Sequence, residues 1–165
     1  DGVINKKLPK GIYEIKELEA PVGYKISAPH YVKVEGNDRT TTQEIKNEVD
    51  KVTLTIIKKD AVDSRVIKGA KFEIERKNDI DNSYEKLKNS DNTTVFTTND
   101  AGKIELSVQK GDIRITELTA APHYDIDSLK LYDTSVEDSK KITSEISLTA
   151  NKTIIATNTK IKICT

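Results

Sequence analysis

Apolar residues recur at every second position through most of this chain. In "VTLTIIKK" (52–59) Val52, Leu54 and Ile56 share one parity; in "DIRITEL" (112–118) Ile113 and Ile115 do; in "KTIIATN" (152–158) Ile154 and Ala156 do. Residues of one parity share a face of a strand, so each run predicts a half-buried β-strand. Further strands are predicted over "KGAKFEIER" (68–76), around Phe72 and Ile74, and over both arms of "TTVFTTNDAGKIELSV" (93–108), joined by a turn at "NDAG". "EISLTANKTIIATN" (145–158) predicts a final hairpin, and "KNDIDNSYEKLKNSDN" (77–92) reads as a long loop with little regular structure. Gly, Asn or Asp bounds nearly every run, and no stretch carries a 3.6-residue stripe long enough for a major helix. The pattern predicts an all-β fold, an Ig-like antiparallel β-sandwich.

The chain also repeats itself. "GIYEIKELEAPVGY" (11–24) aligns with "GDIRITELTAAPHY" (111–124), with Gly11/Gly111, Ile15/Ile115, Glu17/Glu117 and Leu18/Leu118 at one constant offset. Each copy is followed by a Thr-rich segment that predicts a strand ending in asparagine: "TTTQEIKNEV" (40–49) and "NKTIIATNTK" (151–160). The spacing is too wide for a solenoid repeat and suits whole domains in tandem. Residues 50–159 read as a complete unit, residues 1–49 as the later strands of a truncated one, and residues 160–165 as the start of a following unit or a tail. With half a core and unpaired edges, residues 1–49 are expected to be marginal alone.

Each key strand then breaks its own pattern in the same way. Lys58 follows Leu54 and Ile56 in phase, Glu117 follows Ile113 and Ile115, and Asn158 follows Ile154 and Ala156. The first unit repeats two of the three: Tyr13 and Ile15 lead to Glu17, and Ile45 leads to Asn47. An amine, a carboxyl group and a carboxamide are thus aimed inward. Two plainer readings are open: a polar residue that merely marks each strand's exit, or a buried Lys–Glu ion pair, costly in desolvation. The third is covalent. An apolar pocket disfavours charge on both an amine and a carboxyl group, so a neutral Lys58 can attack the Asn158 carboxamide carbon. A protonated Glu117 would bond the carboxamide oxygen and pass a proton to the departing ammonia. Rigid positioning supplies the effective molarity that an unreactive amide needs. The product, a Lys–Asn isopeptide bond, closes a loop of about 100 residues and adds roughly 4–5 kcal/mol by the disulfide analogy.

Composition narrows the choice. Lys plus Arg and Asp plus Glu are 27 each, a formal net charge of zero. That excludes the basic excess of a nucleic-acid binder and of a polybasic membrane-surface protein. No run approaches the roughly 18 apolar residues of a membrane span. The chain has no methionine and opens on Asp1, so it reads as an excised piece of something longer. Its one cysteine, Cys164, has no partner within the chain, which leaves a different covalent staple to be found.

The stretches "YEIKELEAPVGY" (13–24) and "IIKKDAVDSRVIKGAKFEI" (56–74) resemble the E-box and opening strand of Cna protein B-type domains, the SpaA-like modules of Gram-positive surface adhesins and pilins. The resemblance spans almost the whole chain. It implies a prealbumin-like β-sandwich and an extracellular, cell-wall-attached stalk whose neighbours are further domains of the same kind. It also implies Lys58 as the cross-linking lysine, Glu117 as the E-box acid and Asn158 as the acceptor. Glu17 and Asn47 are the acid and acceptor of the partial unit, which has no lysine strand before them. Lys59 is the other candidate lysine, and parity with Leu54 and Ile56 favours Lys58. "ELTAAPHY" departs from "ELEAPVGY" before the proline and lacks the glycine before tyrosine, which puts the following loop in question.

Other motifs carry little. His30 and His123 have no cysteine partners for zinc, and "DIDNS" (79–83) lacks the glycine and closing glutamate of a calcium loop; no metal or cofactor is expected. "LPKGI" (8–12) lacks the ending of a sortase signal. The rival functions are a direct adhesin, binding a host extracellular-matrix protein through loops such as 77–92, and a pilin subunit. An enzyme acting on an external substrate is a more distant class.

Overall fold

The computed structural model of the chain describes residues 2–134 and 140–164. The chain divides into two units, Asp1–Asp50 and Lys51–Thr165.

In the second unit, two sheets face each other across one core. The first has the order β10-β9-β12-β3-β7, built from β3 (Lys51–Asp60), β7 (Lys103–Gln109), β9 (Lys130–Asp133), β10 (Lys140–Ile142) and β12 (Lys152–Asn158). The second has the order β11-β8-β4-β5, with β4 (Lys71–Lys77), β5 (Tyr84–Lys86), β8 (Gly111–Thr119) and β11 (Glu145–Leu148); a short β6 (Phe96–Thr97) also pairs with β4. The predicted parity is what fills the core. Leu54, Ile56, Ile154 and Ala156 from one sheet meet Phe72, Ile74, Ile113, Ile115 and Leu148 from the other, all fully buried or nearly so. Burying such a side chain is worth about 1.5–3 kcal/mol, which is why the period-two pattern decides the fold.

The all-β sandwich is borne out, with differences in detail. The ladder between β3 and β12 is parallel, placing Ile56 beside Ile154 and Lys58 beside Ala156. The predicted hairpin over 145–158 does not form: β11 pairs with β8 and β12 with β3 and β9, in opposite sheets. Leu148 and Ile154 reach the core from opposite sides, which a hairpin in one sheet would forbid. The "NDAG" turn exists, but it too crosses between sheets, from β6 to β7. The stretch 77–92 is more regular than a loop, because β5 folds back on β4 through a turn over Asn78–Ser83.

The first unit, Asp1–Asp50, holds a two-stranded sheet of β1 (Gly11–Ile15) and β2 (His30–Val34). Alternation is visible, yet Tyr13, Ile15, Val32 and Val34 are only half-buried. The strand predicted over 40–49 is absent; Val49 alone makes an isolated bridge, to Tyr24. Its counterpart β12 is held between β3 and β9, and the described residues of the first unit include no strand corresponding to β3. Of residues 160–165, expected to start a following unit or to be a tail, Lys160 makes an isolated bridge to Tyr124, 161–164 form no strand, and Thr165 lies outside the described residues. Among the described residues no helix is long and apolar enough to cross a membrane.

Candidate functional site

Lys58, Glu117 and Asn158 meet inside the sandwich. Lys58 and Asn158 are 0% exposed and Glu117 is 7% exposed. β3 and β12 bring the amine and carboxamide side by side in one sheet, while β8 delivers the carboxylate from the other. Lys58 Nζ lies 3.1 Å from Glu117 Oε1. Asn158 Nδ2 donates to Glu117 Oε2 at 3.0 Å and to the Asp125 carbonyl at 2.7 Å. One carboxylate therefore touches both nitrogens, each through its own oxygen.

The remaining valences are unfilled. The Nζ–Oε1 contact is close enough for an ion pair but not aligned as a hydrogen bond, and Asn158 Oδ1 has no hydrogen-bond partner. Leaving such buried groups unpaired costs about 1–3 kcal/mol each. Burial pushes the Lys58 amine below the usual lysine value, and the facing Glu117 carboxylate offsets part of that shift. The Phe72 ring, centred 5.8 Å from Nζ, is the apolar wall of the pocket.

Backbone bonds hold the lysine. Lys58 N donates to the Gly102 carbonyl at 2.7 Å, and Lys58 O accepts from Ile67 N at 2.9 Å. Gly102 sits at φ +67°, and a Cβ there would meet Lys58 O at 2.9 Å and Ile67 N at 3.0 Å, so glycine is required. At the end of β3, the buried Asp60 accepts from Val62 N, Asp63 N and the Tyr124 hydroxyl. These donors, the Val62 amide first, hold its carboxyl group far below the usual carboxylate range. Ala61 N then donates to Asn158 O, tying that corner to β12.

One expectation is corrected. Glu117 bonds the carboxamide nitrogen, not its oxygen. The Asp125 carbonyl can only accept, so it fixes the amide with Nδ2 toward itself. Asp125 carries no sequence signal of its own, but it stands at the repeat's offset from Lys25, and Asn47 Nδ2 donates to the Lys25 carbonyl at 2.9 Å in the same manner. Asn47 Nδ2 also reaches Glu17 Oε2 at 2.5 Å. The acid and carboxamide of the first unit thus meet as in the second, without an amine. The loop after the second E-box keeps its course despite its altered sequence. Tyr124 N donates to Ala121 O as Tyr24 N does to Pro21 O, and His123 takes φ +71° where Gly23 takes +80°.

Comparison with known families matches SpaA, described as a prealbumin-like fold domain, over residues 1–49 and again over 52–152. The chain belongs to this family. The second SpaA match stops six residues before Asn158, so the acceptor rests on its geometry. Among solved structures, the Bacillus anthracis TIE protein is similar at a TM-score of 0.65 and 23% identity, over 93% of this chain and 26% of that one. The pilus adhesin RrgA from Streptococcus pneumoniae is similar at 0.50 and 17% identity, over 73% of this chain and 16% of that one. The shaft pilin SpaA from Lactobacillus rhamnosus GG gives 0.46 and 18% identity, over 93% and 66%. For the first two, at these identities, the likeness is one of fold, and the chain spans about a quarter of the Bacillus protein, at 26%. No curated protein matches the chain at a significant level.

Proposed function

We propose that this chain is a load-bearing piece of a Gram-positive surface protein, stapled by a Lys58–Asn158 isopeptide bond that it forms itself. The carrying observation is the buried contact of Glu117 with both nitrogens. The step starts from a neutral Lys58 amine and a Glu117 carboxyl group protonated on Oε2: as Nζ attacks Asn158 Cγ, Oε2 gives its proton to Nδ2 and Oε1 takes the proton that Nζ sheds, which restores the acid. The Nζ–Cγ bond forms, the Cγ–Nδ2 bond breaks, and ammonia leaves with the protons in balance. Glu117 acts as a relay between attacking and departing nitrogen, and burial keeps the amine nucleophilic by disfavouring its charge. The reaction runs once per chain and takes no external substrate.

The SpaA family match and the likeness to a pilus adhesin support a cell-surface setting, and attachment to the wall is part of the same reading. The partners that follow are neighbouring domains of the same protein. The paired family matches and the shared Glu–Asn–carbonyl geometry support reading residues 1–49 as the end of one such domain and 50–159 as the next.

Intact mass of the full chain tests the bond. Wild type is expected one ammonia lighter than its calculated mass, and Lys58→Ala, Glu117→Ala and Asn158→Ala at full mass. Full mass in wild type would reduce the triad to a buried polar cluster and remove the covalent staple from the stalk.

A further inference from the structure

The two units share one frame around the glutamate but send one backbone amide to different acceptors. In the first, Ser27 N donates to Glu17 Oε2 at 2.7 Å, the same oxygen that holds Asn47 Nδ2. The corresponding amide in the second unit is Asp127 N, two residues after the carbonyl that orients the asparagine. It donates instead to Asp125 Oδ1 at 3.0 Å, as the cap of the short 3-10 turn Ile126–Ser128. Position 25 in the first unit is lysine, whose side chain has no acceptor to offer.

We infer that Asp125 is a positioning residue for the cross-link: its carboxylate captures the Asp127 amide and so reserves Glu117 Oε2 for the Asn158 nitrogen. This rests on the Lys58–Asn158 reading above. An amide donor on a carboxylate stabilises its charged form and makes it a poorer base; at Glu17 that donor is the largest influence holding the group below its usual value. It also occupies a lone pair on the oxygen that must hand a proton to Nδ2. Asp125 removes both obstacles with its side chain while its carbonyl holds the carboxamide nitrogen at 2.7 Å. Ser128 steadies that carbonyl, its hydroxyl donating to Asp125 O at 2.5 Å while its oxygen accepts from Thr159 N at 2.8 Å. The groups facing Glu117 are Lys58 from β3 and Asn158 from β12, with Phe72 opposite it in register on β4. Asp125 therefore acts through the hydrogen bonds of the turn, without touching Glu117.

The experiment follows loss of ammonia by intact mass in full-length chain made by cell-free synthesis, so that closure is watched from its start. Asp125→Ala and Asp125→Lys, which free the Asp127 amide, are expected to close more slowly by on the order of tenfold. Asp125→Asn keeps an oxygen for that amide and is expected to recover most of the rate. Thermal unfolding of the same substitutions on a Glu117→Ala background, where no bond forms, measures any loss of fold separately. Equal rates for wild type and Asp125→Ala overturn the inference. So does an Asp125→Asn chain as slow as Asp125→Ala, or slowing accounted for by the unfolded fraction. A wild type that never loses ammonia is a different failure: it removes the cross-link itself, and the role of Asp125 with it.

Discussion

Lys58 is a residue whose chemistry is set by what surrounds it more than by what it is. Its backbone is clamped by Gly102 and Ile67, its amine is desolvated, and the carboxylate that faces it also serves the amide it faces. Gly102 is the most sensitive point of that clamp. Gly102→Ala forces a Cβ against backbone at 2.9–3.0 Å in a left-handed conformation, and is expected to cost about 1–3 kcal/mol. Chemical denaturation on a Glu117→Ala background, free of the covalent bond, measures it. Asp60 supplies a pH signature. Its pKa is depressed on folding, so its contribution is complete above its unfolded value of about 4 and is lost as pH falls further, through the folded value. Asp60→Asn should be less stable than its parent at neutral pH and lose less between about pH 4 and pH 2. Equal acid slopes in the two chains would refute this. Sequence parity was enough to place Lys58, Glu117 and Asn158 on the core side. It could not show which end of the carboxamide meets Glu117, because a backbone carbonyl decides that.

At the scale of elements, alternation identified strands reliably where both faces find a use. β3, β8 and β12 lie where the pattern put them, and Phe72 and Ile74 mark β4. Pairing was less legible. Alternation says which face of a strand is buried, not which sheet it joins, so the pattern predicts a hairpin over 145–158 and a plain turn at "NDAG", although each connection crosses the sandwich. Local polarity hid β5, whose polar residues pair with β4 through the backbone ladder and through the Lys86–Glu73 ion pair. Residues 40–48 show the opposite failure, where a strand-like pattern forms no strand for want of a neighbour. Hydrogen exchange tests the contrast: amides of 41–46 should exchange far faster than those of 153–157, which β3 and β9 secure on both sides. Comparable protection would mean that the first unit's segment is paired after all.

For the molecule as a whole, the parallel ladder between β3 and β12 decides how tension travels. A pull applied at Lys51 and beyond Asn158 shears that ladder, and with the bond in place the force passes from Lys58 directly to Asn158. The intervening residues, 59–157, lie off the path. Single-molecule stretching of Glu117→Ala should release about 100 residues, on the order of 350 Å of extension, in a step that wild type lacks. The same step in both chains would place no covalent link between the two strands.

In the proposed cross-linked form, residues 58–158 become a ring, from which the chain before Lys58 and the chain beyond Asn158 lead away. A protease that cuts the ring once, for example in the exposed turn around Ile80, turns it into a branched chain but severs no tether. On the proposed stalk reading, a nicked tether still holds.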